Sequence, residues 1–513
     1  MKEDAAIEEL RARNAPMEMT PSDFREIGHQ LVDDIADFLS SLPQRPVAPG
    51  KTAVEIRSEL GEASLPESGT PPGQLLKDAT GLMFENSLLN GHPRFWGYIT
   101  SSAAPIGALG DLLASAVNAN VGGWSLSPMA SEIETQTVRW IAELVGFPTN
   151  CGGLLVSGGN TANFVGFLAA RRKKLGADVR TKGAGNSGGG QPRVYGSAGT
   201  HTWIEKAADQ YGIGTDSIRW IDTHEGQQMD LAALRGQIEQ DKNNGDAPFL
   251  VVGTGGSVGF GAVDDLPEIA AICRENDLWF HVDGAYGGLA ACSPLAPSEL
   301  KGLSEADSIA NDPHKWLYSP LEAGCALVRD PQDLLDAFSY HPTYYKFDYE
   351  GAEERAGLSY YEFGPQNSRG FRALKVWLGL RQVGREGYVQ MISDDIRLSE
   401  HLYKAVDKHP NLEAFTQNLS VTTFRYVPSD LTPGSDETEA YLSRLNEELL
   451  TELQDGGETF ISNAVMGEKY LLRACIVNFR TSLDDVEALP EIVARIGSRV
   501  DATIRSEQLT EPT

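Results

Sequence analysis

Leu278-Trp279-Phe280-His281-Val282-Asp283-Gly284-Ala285-Tyr286-Gly287-Gly288 is a short apolar run that ends in a carboxylate among small residues. Such a run reads as a buried strand, and the small residues after it leave space beside an acid that needs a partner. Working outward, residues 266–275 carry helical periodicity and Leu250-Val251-Val252 is a second strand-like run. Cys325-Ala326-Leu327-Val328 is a third, downstream. Helical patterns at 161–174, 202–211 and 231–240 alternate with such runs across residues 91–388. That alternation predicts an α/β domain with a mainly parallel central sheet. Ligands of such sheets sit beyond the carboxyl ends of the strands, where Asp283 falls.

The flanks differ. Thr20-Pro21-Ser22-Asp23 is a helix start, with Phe24, Ile27, Leu31, Ile35 and Phe38 on one face, and proline-rich stretches follow at 43–49 and 66–73. An arm of this kind cannot bury its apolar face alone, so it is expected to lie on another part of the protein or on a partner subunit. After residue 395 come a strand at Val421-Thr422-Thr423-Phe424, an acidic helix, a strand near 471–477 and a closing helix from Leu483. The chain therefore divides into a helical arm with linker (1–90), a large α/β domain (91–394) and a small α+β domain (395–513).

With 43 Lys+Arg against 72 Asp+Glu, the formal charge of −29 repels phosphate backbones and anionic lipid surfaces, which argues against nucleic-acid and membrane roles. No apolar export segment opens the chain and no stretch is long enough to span a bilayer, so a cytoplasmic protein is expected. Five scattered cysteines suit neither a disulfide framework nor a metal site, and no metal is expected.

Some motif matches fail on context. Gly183-Ala184-Gly185-Asn186-Ser187-Gly188 has the letters of a dinucleotide fingerprint but precedes a strand instead of following one. Gly255-Gly256-Ser257-Val258-Gly259, with Asp283 and His314 later, preserves a hydrolase chain order. A nucleophile elbow needs a helix to start at the serine, however, and Gly259, Gly261 and Pro267 delay it.

Three segments cohere. Val156-Ser157-Gly158-Gly159-Asn160-Thr161 joins a strand to a helix through a glycine pair, which suits either a tight turn or an anion held on helix amides. The second is the strand ending in Asp283. The third is Asn311-Asp312-Pro313-His314-Lys315-Trp316, where a lysine at a strand exit could form a Schiff base. Together they meet the needs of pyridoxal phosphate: an anion site, an acid for the pyridine nitrogen and a lysine for the aldehyde.

On the Pro-His-Lys-Trp, His-Val-Asp-Gly-Ala-Tyr and Ser-Gly-Gly segments, the chain resembles the group II pyridoxal phosphate-dependent amino-acid decarboxylases, most of all the bacterial aromatic-L-amino-acid type. The resemblance runs from near Phe24 to beyond Leu471. It implies fold type I (aspartate aminotransferase-like), a homodimer with its active site at the interface, and conversion of an aromatic amino acid to its amine through a Lys315 aldimine and a quinonoid. It further implies that Asp283 pairs with the pyridinium nitrogen and that Gly158, Gly159, Asn160 and His314 hold the phosphate. Ala285 would pack on the ring and His201 would stack on it and help place the substrate carboxylate. Tyr344, in His341-Pro342-Thr343-Tyr344-Tyr345-Lys346-Phe347, matches the mobile-loop tyrosine that returns the proton. Tyr98 and Trp124 match pocket walls for an aromatic side chain, and the arginines of 365–372 match support near the site.

Three departures from that pattern are Val258 in a turn where many relatives carry threonine, Asp312 where some carry asparagine, and Asn160 where Ser or Thr is common. The near rival is an aldehyde synthase of the same family, against which Tyr344 and His201 weigh. A catalytically silent cofactor-binding protein that acts through its acidic surface is the rival from another class.

Overall fold

The computed structural model describes residues 2–13, 15–61, 64–184, 190–224, 227–340 and 357–510. It divides into two compact units, Met1–Leu89 and Asn90–Thr513. In the first, the Pro21–Ser41 helix starts where Thr20 Oγ1 accepts from the Asp23 amide at 3.1 Å, and it buries no residue fully. Its apolar stripe meets the Pro72–Asn86 helix, with Phe38 stacked on Phe84 at 4.2 Å.

The second unit carries a seven-stranded sheet of β1 (Gly152–Val156), β2 (Pro192–Ser197), β3 (Ile218–Ile221), β4 (Ala247–Thr254), β5 (Trp279–Asp283), β6 (Ser308–Asn311) and β7 (Gly324–Val328). The order is β1-β7-β6-β5-β4-β2-β3, in which only β7 runs antiparallel to its neighbours. The expected α/β fold with a mainly parallel sheet is the one observed. Successive strand residues serve opposite faces. Leu155, Val251, Phe280, Val282 and Ile309 join one apolar core, while Leu154, Leu250, Val252, Trp279 and Ala310 join the other. β4, β5 and β6 run parallel, and β1 and β6 are both antiparallel to β7, so β1 and β4 to β6 deliver their carboxyl ends to one rim of the sheet.

The C-terminal portion is a four-stranded antiparallel sheet, ordered β10-β11-β9-β8, from β8 (Leu412–Asn418), β9 (Val421–Tyr426), β10 (Ser462–Met466) and β11 (Lys469–Cys475). The helices Asp436–Asp455 and Leu483–Thr510 pack on it through leucines and isoleucines. One helix, Ala373–Lys408, broken at Gly384 (φ 69°), runs through position 394/395; it packs on the helices Pro105–Val117 and Pro128–Leu144 of the large portion and on β8 and β9 of the small sheet. No helix among the described residues is long and apolar enough to cross a membrane.

Candidate active site

At the exit of β1, Gly158 (φ 140°) begins the Gly159–Lys174 helix with no side-chain cap and no acid in its first turn, while Arg171, Arg172, Lys173 and Lys174 occupy its last. Four basic residues complement the negative helix end, and the open amides at the other end suit an anion. A Cβ on Gly158 would stand 3.3 Å from His314 Cε1; one on Gly159 would stand 2.8 Å from Asp312 Oδ2 and 3.1 Å from the Ala285 Cβ. The glycine pair thus lets the loops after β1, β5 and β6 close on one point. Asn160 is half-buried in the same turn.

Asp283 ends β5, nearly buried. Its Oδ2 accepts from Trp203 Nε1 at 2.7 Å and its Oδ1 from the Ala285 amide at 3.2 Å. Two residues earlier, His281 is fully buried. Trp279 Nε1, which can only donate, bonds Ser308 Oγ at 2.8 Å. Asn163 Oδ1, on the Gly159–Lys174 helix, can only accept, so His281 Nε2 donates to it (2.7 Å) and Nδ1 of the neutral ring accepts from the Ser308 hydroxyl (2.7 Å). Burial holds this imidazole down to about 4, so it stays neutral. Trp203 meets its ring edge-on at 5.6 Å.

Beyond β6, Lys315 Nζ lies 3.0 Å from Asp312 Oδ2, and His314 Nε2 lies 3.6 Å from the same oxygen. His314 Nδ1 accepts from the Ala323 amide at 3.1 Å, which leaves the proton on Nε2. Burial lowers the His314 imidazole below its usual value, and Asp312 opposes this. Asp312 Oδ1 is buried with no hydrogen-bond partner among the described residues.

His201 lies between β2 and the Trp203–Gln210 helix, where its Nδ1 accepts from the Trp203 amide at 3.3 Å. Desolvation lowers its imidazole, with Asp283 opposing and Lys315 reinforcing. Tyr98 (φ 50°) is 56% exposed, its ring 5.8 Å from Phe460. Its segment reaches the lysine turn where Ser101 Oγ donates to the His314 carbonyl at 2.7 Å. Trp124 is half-buried and donates to Glu132 Oε1 at 2.8 Å; none of its described contacts is with Asp283 or Lys315. Tyr344 lies outside the described residues. The structure therefore brings Gly158, Gly159, Asp283, Ala285, His314 and Lys315 together, with His201 alongside.

Two features escape sequence reasoning. Trp203 is the partner of Asp283, and only its position two residues after His201 hints at it. Arg369, expected to support the site in some way, has a definite task. Its Nη2 is 2.5 Å from Glu134 Oε1 and 2.6 Å from the Leu155 carbonyl, while Glu134 Oε1 accepts the Leu155 amide at 2.8 Å. This buried pair secures β1 just before the glycine turn. Val258, in place of a threonine, offers its carbonyl to Arg473.

The cluster fits pyridoxal phosphate. An uncapped helix end, a neutral imidazole N–H, a carboxylate held by neutral donors and a primary amine converge.

Comparison with known proteins agrees with this fit. The pyridoxal-dependent decarboxylase conserved domain matches residues 55–427. An aromatic-L-amino-acid decarboxylase of Bacillus atrophaeus is 33% identical over 92% of this chain and 94% of its own. A 4-hydroxyphenylacetaldehyde synthase of Rhodiola rosea is 29% identical over 92% and 95%. The crystal structure of Oryza sativa TDC with PLP and tryptamine aligns with a TM-score of 0.86 at 26% identity, over 95% of this chain and 99% of that one.

Proposed function

The chain belongs to the pyridoxal-dependent decarboxylase family, and from that premise we propose that it converts an aromatic L-amino acid to the amine and carbon dioxide as a homodimer. The carrying observation is the convergence of Asp283, the His314–Lys315 turn and the open helix end at Gly159. The name of the Bacillus atrophaeus relative supports an aromatic substrate, and Tyr98 and Trp124 offer flat walls for one.

When bound, pyridoxal phosphate supplies an electron sink for the pair left on the α-carbon as carbon dioxide departs. The helix amides after Gly158 and the His314 Nε2–H would hold the phosphate, with Asn160 in the same turn. Asp283 would keep a proton on the pyridine nitrogen, and Trp203 fixes the direction of that carboxylate. Lys315 Nζ would be the amine for the aldehyde, with Ala285 as a small surface beside the ring. His201 places the substrate carboxylate. Tyr344 returns the proton, since a phenol of ordinary pKa about 10 is protonated at neutral pH.

The helix Pro105–Val117 supports a dimer. Gly110 brings one side of it against the Ala373–Lys408 helix and Gly107 against Pro320, while Leu109, Leu112 and Leu113, each 53% exposed, and Val117 lie open. An apolar stripe of this kind suits a second copy of the chain.

The name of the Rhodiola rosea relative favours a second reading, an aldehyde synthase. Incubating the loaded protein with tyrosine, dopa, tryptophan and phenylalanine, and measuring carbon dioxide, amine, aldehyde and ammonia, separates the two. Amine without ammonia is expected. Absence of carbon dioxide from every amino acid tried, with cofactor bound, would overturn both.

A further inference from the structure

We propose that Asp395 is a positioning residue for Lys315, holding the lysine turn in shape by accepting hydrogen bonds from Trp316 and Tyr318. This rests on the role given to Lys315 above.

Asp395 lies in the Ala373–Lys408 helix beyond the break at Gly384 and is 3% exposed. Its Oδ2 accepts from Trp316 Nε1 at 3.0 Å and from the Tyr318 hydroxyl at 2.7 Å, and the Asn478 amide also bonds to the carboxyl. Trp316 directly follows Lys315, and both donors are buried. Burial pushes the carboxyl up to about 7, and the three bonds oppose that rise. An indole can only donate, so its burial requires an acceptor of fixed position.

Tyr318 adopts a left-handed backbone (φ 51°), which sterics disfavour for a residue with a bulky side chain. Its amide donates to the Lys315 carbonyl at 3.0 Å, and its carbonyl accepts from the Ala104 amide at 2.8 Å. The side chain is pinned at its far end by Asp395. Trp316 is stacked on Tyr286 at 4.8 Å, and Tyr286 belongs to the loop that follows Asp283. One carboxylate oxygen thus gathers the two side chains that frame the lysine turn, and through Trp316 it sets that turn against the loop of the pyridine-nitrogen acid. Asp395 touches neither the amine nor the anion site, so its effect passes through the backbone of residues 315–318.

The test uses the full chain, freed of cofactor and titrated with pyridoxal phosphate, read by visible absorbance and by borohydride trapping at Lys315. Asp395→Asn keeps the shape but turns an NH2 group toward one of three donors. We expect cofactor affinity to fall about tenfold and trapping to slow with it. The thermal midpoint of the cofactor-free protein should fall no further than in Asp241→Asn, a buried acid paired with Arg219 on β3, whose cofactor affinity should stay at the wild-type value. Tyr318→Phe removes one donor and should weaken affinity by a smaller factor; it decides the matter if Asp395→Asn does not fold. Wild-type affinity and absorbance in these variants, or a loss of thermal stability alone, overturns the proposal. If the wild-type chain captures no cofactor at Lys315, the role of Lys315 fails and this inference with it. Capture by wild type with unchanged variants sinks this inference alone.

Discussion

The Trp203 indole nitrogen stands 2.7 Å from Oδ2 of Asp283, so the acid at the end of β5 is oriented by a neutral donor. An arginine or lysine there would neutralise the carboxylate and leave less of its field for a protonated ring nitrogen. Trp203→Phe keeps the ring edge near His281 and removes the donor. Hydrogen bonds to charged groups contribute about 1.5–3 kcal/mol, so cofactor affinity should drop at least about tenfold. Asp283→Asn should drop it further. Titration of the cofactor-free protein measures both.

Asp312 places a carboxylate beside the same helix end that would hold a phosphate, with Oδ2 near Gly159 and 3.0 Å from Lys315 Nζ. Like charges about 4 Å apart repel by about 1 kcal/mol even at the dielectric of water, and by more where burial excludes it. Asp312→Asn should therefore bind inorganic phosphate several-fold more tightly. Isothermal titration with phosphate checks this, and weaker binding would show that the pairing with Lys315 outweighs the repulsion.

Glu134 and Arg369 are both essentially inaccessible. Removing one member of a buried pair strands the other, at about 3–5 kcal/mol. Glu134→Gln should lower stability on that scale and loosen β1, since Glu134 also accepts the Leu155 amide. Asp394→Asn, which breaks an exposed pair with Arg397, should change little. Denaturant unfolding of the three proteins gives the comparison.

His281 titrates near 4 in the folded protein because burial disfavours its charged form, against an ordinary value of about 6.5 in the unfolded chain. Between those values the unfolded chain binds the extra proton, so stability from this residue rises with pH. It is complete above about pH 6.5, reaches up to about 3 kcal/mol, and is lost as pH falls toward 4. The stability difference between wild type and His281→Gln should accordingly shrink from pH 7 to pH 4. A gap that is constant with pH would contradict a neutral, buried His281.

Leu112 is 53% exposed at the middle of the open stripe on the Pro105–Val117 helix. A charge there should oppose burial against a second copy. Leu112→Glu is expected to shift the protein toward monomer in sedimentation experiments with little change in monomer stability. A monomeric wild type removes the dimer from the account.

Much of the fold was legible because its signals are local. The strand-like run ending at Asp283, the helix start after Gly158 and the turn around Lys315 each depend on residues within about ten positions of one another. The antiparallel course of β7 was not legible: an apolar run of five residues reads the same in either direction, and only pairing with β1 and β6 decides it. Nor was the reach from Trp124 to Ser359, 235 residues on, whose Oγ accepts the Trp124 amide at 3.4 Å.

By itself, the sequence determined the alternating α/β plan, the strand-exit positions of the glycine pair, the acid and the lysine, and the cofactor they imply together. Only the tertiary structure decided what orients them. Trp203 and Asp283 are 80 residues apart, Trp316 and Asp395 are 79 apart, and Glu134 and Arg369 are 235 apart. Periodicity and turn chemistry report on the neighbours of a residue along the chain. The partner of a buried polar group is chosen by which distant side chain packing brings within about 3 Å, with a free donor facing a free acceptor.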